Sequence, residues 1–122
     1  MMRSNFNNAF LLLILGLLVS ACSIQQSAIT GDKRAYGYSW EQEKQIGKDA
    51  DLQIQQQYGL YDNDALQQYV NNIGQEMLAV SHMQRDDTPS EYKDTEFYFR
   101  LLDSPVVNAF ALPGGYIYVT RG

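Results

Sequence analysis

Residues 104–122 read SPVVNAFALPGGYIYVTRG, and this stretch constrains the fold more than any other. VVNAFAL and YIYVT are β-branched and aromatic runs of strand length. Between them Pro113 presets φ and Gly114 is free to take φ > 0, so the chain turns there. Upstream, Glu96–Leu102 reads EFYFRLL, in which Phe97, Phe99 and Leu101 alternate with Tyr98, Arg100 and Leu102. A period of two with one strongly apolar face predicts a strand, and Asp103-Ser104-Pro105 breaks it. The back of the chain is therefore expected to be a three-stranded sheet with a Pro-Gly-Gly hairpin.

The middle of the chain has the other period. Ser39 precedes WEQEKQIGKDADLQIQQQYG; its hydroxyl can cap a helix while Gln42 reaches back to close a capping box. Glu41 and Glu43 fall in the first turn, where the helix dipole favours negative charge. Ile46, Ala50 and Ile54 form a modest apolar stripe, and Gly59 is placed for a left-handed C-terminal cap. A second helix follows, with Asp64 and Gln67 as a cap pair. Its stripe is cleaner: Leu66, Val70, Ile73, Met77 and Val80 recur at helical spacing. His82 falls at its frayed end. Residues 81–95 are charged, contain Pro89 and have no period, which predicts a surface loop. Asp86 and Asp87 are adjacent acids in that loop and read as solvated. The fold class expected is α+β, two amphipathic helices followed by a three-stranded sheet.

The front of the chain is an address. MMRSNFNNAFLLLILGLLVSA has Arg3 near its start and an apolar run from Ala9 to Val19. That run is too short for a membrane span, which takes ~20 helical residues. A basic start, short apolar centre and small-residue exit predict a secretory signal peptide over 1–21. Val19-Ser20-Ala21 stands directly before Cys22, the one cysteine of the chain. This exit resembles the lipobox of bacterial lipoproteins, which implies acylation of Cys22 and membrane anchoring through it. Anchoring by several acyl chains is physically sound, since one chain alone binds only marginally. The alternative is ordinary signal cleavage with Cys22 a bystander thiol. Ser23 after the cysteine, rather than aspartate, points to the outer membrane, with the protein facing the periplasm. Residues 22–38 have no sustained period and are expected to be a flexible tether; residues 39–122 hold the folded part.

Charge and residue usage exclude several classes. A formal net charge of −5 argues against a nucleic-acid partner. One cysteine and one histidine, His82, rule out an intrachain disulfide and a cysteine-based zinc site.

Taken together, LDSPVVNAFALPGGYIYVTRG and the upstream EQEKQIGKDADLQIQQQYGLYDNDALQQYVNNIGQEMLAVS resemble the N-terminal part of a metallopeptidase family-forty-eight domain. This group holds bacterial envelope zinc proteases, including the beta-barrel assembly-enhancing protease. The resemblance covers about Trp40 to Gly122. It implies an incomplete zincin-like domain, because in that family the last strand leads into a helix bearing His-Glu-x-x-His. Two histidines at i and i+4 bind zinc and the glutamate activates the bound water. This sequence contains no such motif. The expectation is a chain that lacks catalytic residues and metal ligands, binds no zinc as it stands and hydrolyses no peptide, although the full-length family uses zinc.

What the resemblance leaves in this chain is half of a substrate groove. The strand Val107–Ala111 would lie at the sheet edge, where substrate adds as another strand. Asn108 would orient the substrate backbone through its side-chain amide. Ala109 would offer its carbonyl and allow close approach, with Phe110 and Ala111 completing the edge. The alternative is a plain strand in which Phe110 fills the core and Asn108 satisfies a local turn. The function implied is the front portion of a lipid-anchored zinc metalloendopeptidase acting on envelope polypeptides. The alternative function is a non-catalytic envelope lipoprotein that binds partners through an open strand edge. In either case one sheet face is expected to be bare, and Arg121 and Gly122 to be frayed.

Overall fold

The computed structural model describes residues 23–27 and 32–122. The signal segment 1–21 and Cys22 lie outside the described residues. The chain is α+β. Strands β1 (Ser23–Gln26) and β2 (Lys33–Tyr36) come first, then helices α1 (Trp40–Tyr58), α2 (Asp64–Ala79) and the single-turn α3 (Ser90–Lys93). Strands β3 (Tyr98–Leu102), β4 (Ala109–Leu112) and β5 (Tyr116–Thr120) follow.

Part of the expected tether is a pair of short strands. β1 pairs antiparallel with β2, Ser23 opposite Tyr36 and Gln26 opposite Lys33, and the Ser27 N–H donates to the Asp32 carbonyl. Four-residue strands are too short for alternation to register in sequence, and a lone two-stranded ribbon is marginal in water. Ile24 is exposed on it.

Helix α1 starts with the expected reciprocal cap. The Gln42 N–H donates to Ser39 Oγ, and the Ser39 N–H donates to Gln42 Oε1 at 2.8 Å. It ends at Gly59, whose φ of 71° and ψ of 152° lie outside the left-handed helical well but still in a region open to glycine. The buried face is turned from the expected one, although Ile54 of the expected stripe still packs into the core. Gly47 and Asp51 are buried, while Ile46 is 41% exposed. Gly47 explains the rotation, since a Cβ there would overlap the Pro113 carbonyl. The Pro113–Gly115 turn therefore rests directly on the helix backbone.

Helix α2 is capped by Asn63, not by Asp64. Asn63 Oδ1 accepts from the Leu66 N–H at 3.0 Å. Gln67, freed from capping, serves the sheet instead. Residues 81–95 carry more order than a loop: a 3-10 turn at His82–Gln84 capped by Ser81, and then α3. Trp40 fastens this segment to α1, donating to Thr95 Oγ1 at 2.8 Å and meeting the Tyr92 ring edge-on at 5.0 Å.

The sheet order is β3-β5-β4, with β3 parallel and β4 antiparallel to the central β5. Tyr98, Arg100, Leu102, Phe110, Leu112, Tyr116 and Tyr118 share one face by register. Ile54 of α1 packs there against Leu102, Tyr116 and Tyr118, and aromatic pairs bind the strands together: Tyr98 stacks on Tyr116 at 5.0 Å and Phe110 on Tyr118 at 4.9 Å. The opposite face carries Phe99, Leu101, Ala109, Ala111, Ile117 and Val119. Helix α2 covers only its β3 side, lying so close at Gly74 that a Cβ would enter the Phe99 ring.

Among the described residues, nothing covers the rest of that second face. Val70, Ile73, Gly74, Met77, Phe99, Ile117 and Val119 line an apolar hollow of about 280 Å³. Met77 is 66% exposed and Val80 88%, so the apolar stripe of α2 is largely uncovered. A solvent-facing apolar patch of this kind marks an interaction surface.

Candidate functional site

The expected substrate strand is shorter than the sequence run. Val106, Val107 and Asn108 lie outside the ladder and are exposed, and β4 spans Ala109–Leu112. Thr120 sets this boundary. Its hydroxyl accepts from the Asn108 N–H at 2.8 Å and donates to the Val106 carbonyl at 2.7 Å, while its own N–H donates to the Asn108 carbonyl at 3.0 Å. A side chain thus replaces the ladder bond at the start of the strand. The terminal residues are not frayed: Arg121 N–H donates to the Leu102 carbonyl, Gly122 N–H to the Ser104 carbonyl, and Arg121 pairs with Asp103.

The Asn108–Thr120 bond also fixes the phase of the β4–β5 ladder. Antiparallel partners alternate between hydrogen-bonded and non-bonded pairs. Asn108–Thr120 is bonded, so Phe110–Tyr118 and Leu112–Tyr116 are the bonded pairs of the register. The N–H and C=O groups of Ala109 and Ala111 therefore point away from β5, toward the open edge. Both residues are exposed, and a methyl side chain leaves room for a close neighbour.

Of the four expected site residues, Ala109 and Ala111 present the edge. Phe110 turns inward, half-buried, with its ring on Tyr118. Asn108 is exposed, with its backbone held by Thr120 and its side-chain amide unpaired among the described residues.

The two edges of the sheet are managed in opposite ways. On the β3 side, Gln67 Nε2 donates to the Leu101 carbonyl at 2.8 Å and its Oε1 accepts from the Leu101 N–H at 3.0 Å. Tyr61 N–H also donates to that carbonyl, and Gln75 Nε2 donates to the Phe97 carbonyl at 3.1 Å. Side-chain amides from α2 stand in for a further strand. The β4 edge has no such cover among the described residues. No charged residue occurs from Ser104 to Thr120, so it also lacks the lysines that usually blunt an edge.

A buried polar cluster positions the sheet over α1. Asp51 is 6% exposed; its carboxylate accepts from Tyr118 Oη at 2.5 Å, from Gln55 Nε2 at 2.8 Å and from Arg100 at 3.1 Å. Arg100 Nε is buried without a partner among the described residues. Burial first, then the bond to Asp51, pushes the Tyr118 hydroxyl far above its ordinary range. Tyr98 is raised to about 12, chiefly by its hydrogen bond to Glu96. Gln67, Gln75, Asp51 and Thr120 were all missed by sequence reasoning. The only trace was the eight-residue spacing of Gln67 and Gln75 on one helix face.

The described residues contain no cluster of three His, Cys, Asp or Glu side chains fit to hold a metal ion. His82 is exposed, and Asp86 and Asp87 are exposed with Asp87 paired to Arg85. No described helix is long and apolar enough to cross a membrane. Comparison with protein-family models and with curated proteins finds no match.

Proposed function

We propose that residues 39–122 are the substrate-holding front portion of a membrane-anchored zinc metalloendopeptidase of family forty-eight. The polypeptides it takes are those of the cell envelope, bound as an added strand on β4. The observation that carries this reading is the asymmetry of the sheet edges: β3 is plugged by Gln67 and Gln75, while β4 offers the peptide units of Ala109 and Ala111 and no defence against pairing. A long-lived open edge is a liability unless something is meant to occupy it. Strand addition supplies main-chain hydrogen bonds that are indifferent to sequence, which suits unfolded polypeptide.

In this reading the described residues bind and orient substrate, and the zinc ligands come from residues that follow in the full-length family. The open hollow between α2 and β5 supports it, because a further apolar helix would have a surface to rest on. Anchoring comes from acylated Cys22, and the periplasmic face of the outer membrane is the proposed location. The non-catalytic alternative, an envelope lipoprotein that binds partners along the same edge, shares every contact up to the metal.

Two measurements test the proposal. The coding frame beyond codon 122 should encode His-Glu-x-x-His shortly downstream; unrelated sequence there leaves only the non-catalytic reading. In the full chain, diluted until it sediments as a single copy, titration with an unfolded, uncharged peptide should protect the Ala109 and Ala111 amides from hydrogen exchange. Protection elsewhere, or none, removes β4 as the binding edge.

A further inference from the structure

Ala109-Phe110-Ala111 reads the same in both chain directions, and the phase of the ladder makes the backbone equally symmetric. Both alanines turn their N–H and C=O outward, and Phe110 turns its own inward to Tyr118. A second β4 laid antiparallel about a two-fold axis at Phe110 sets Ala109 against the partner's Ala111, and Ala111 against the partner's Ala109. Each of these pairs exchanges both of its hydrogen bonds, as a bonded antiparallel pair does. Self-complementarity of this kind is what an isologous two-fold interface requires.

We propose that, when no polypeptide occupies it, the β4 edge pairs with the β4 edge of a second copy, joining two three-stranded sheets into one continuous sheet. The side chains permit it. Ala109 and Ala111 are exposed methyl groups, and no charge from Ser104 to Thr120 opposes itself across the axis. The two Phe110 rings meet at the non-bonded position, where cross-strand Cβ atoms come nearest. They extend the aromatic row begun by Phe110 on Tyr118. Self-pairing and strand addition by another polypeptide use the same peptide units, so each excludes the other. The paired state is a closed form of the edge.

This pairing needs only the β4 edge and stands apart from the peptidase reading. The test is sedimentation equilibrium of the full chain in density-matched detergent, with reductant present to exclude disulfides through Cys22. The wild-type chain is expected at twice the single-chain mass. Ala111→Pro removes one outward N–H without touching a bond to β5, and proline is tolerated where an edge N–H faces out. It is expected at the single-chain mass, with Ala109→Pro as a second variant at the other end of the edge; a variant that keeps its helical circular dichroism and is a single copy supports the proposal. Met77→Lys, on the apolar hollow, is expected to stay doubled. A single-chain mass for the wild type overturns the proposal. So does a doubled mass for folded Ala111→Pro and Ala109→Pro, or a doubled mass lost only in Met77→Lys. No zinc or peptide enters the experiment, so its failure leaves the peptidase reading intact, and the reverse also holds.

Discussion

The side-chain amide of Gln67 pairs with both backbone groups of Leu101, donating at 2.8 Å and accepting at 3.0 Å. One glutamine on a helix thereby does what a neighbouring strand would do for that residue. Gln67→Ala leaves the N–H of buried Leu101 without a partner, while its carbonyl keeps the bond from Tyr61 N–H. The expected loss is about 1–3 kcal/mol, the cost of an unsatisfied buried donor. Urea denaturation reads it, and an unchanged midpoint would show that water replaces the amide at no cost.

Asp51 joins α1 to both β3 and β5 through Arg100 and Tyr118. Removing a buried carboxylate strands its partners, so Asp51→Ala is expected to destabilise the fold by roughly 2–4 kcal/mol. The range sits below that of a fully buried pair because the Arg100 side chain is 25% exposed and solvent screens part of its charge. Thermal unfolding of Asp51→Ala beside Asp51→Asn separates the charge from the hydrogen bonds: the asparagine variant should recover part of the loss.

The raised tyrosines set an alkaline limit. Tyr98 and Tyr118 have folded pKa values above the ordinary 10.0, so the unfolded chain releases their protons first as pH rises. Their contribution is complete below pH 10 and is lost as pH rises through the folded values. Stability is expected to fall from pH 10 toward about pH 12, the Tyr98 value. Tyr118→Phe should flatten part of that fall. An equal slope in the variant would mean that Tyr118 does not titrate with unfolding.

Gly47 and Gly74 both lie where a Cβ has no space, but their neighbours differ. Gly47 faces the Pro113 backbone carbonyl, and Gly74 faces the Phe99 ring. A backbone carbonyl yields only by moving the turn, whereas the Phe99 side chain borders an open hollow into which it can shift. Overpacking costs about 1–3 kcal/mol, and glycine to alanine in a helix interior returns close to 1 kcal/mol. Both Gly47→Ala and Gly74→Ala are expected to be destabilising, Gly47→Ala the more so because a turn backbone must move rather than one ring. Chemical denaturation of the two variants checks the order.

Much of this was readable before the chain was folded. The α+β class, the Ser39 capping box and the helix over residues 64–79 depend on neighbours within a few positions, and local sequence states them directly. The paired strands Ser23–Gln26 and Lys33–Tyr36 were not readable, because four-residue strands carry too little alternation to be seen. Nor was the edge readable in detail. The run VVNAFAL shows a strand, but only the Thr120 hydroxyl on Asn108 decides where it begins and which peptide units face outward.

By itself the sequence settled the two long helices and the three-stranded run at the back of the chain, because backbone preference and capping act over one or two turns. The tertiary structure alone decided the strand order β3-β5-β4, the rotation of α1 onto Gly47 and Asp51, and the use of Gln67 and Gln75 as edge plugs. It also decided that the apolar stripe of α2 stays uncovered. A residue's type tells what it would gain from burial; whether a neighbour arrives to bury it depends on contacts distant in the chain.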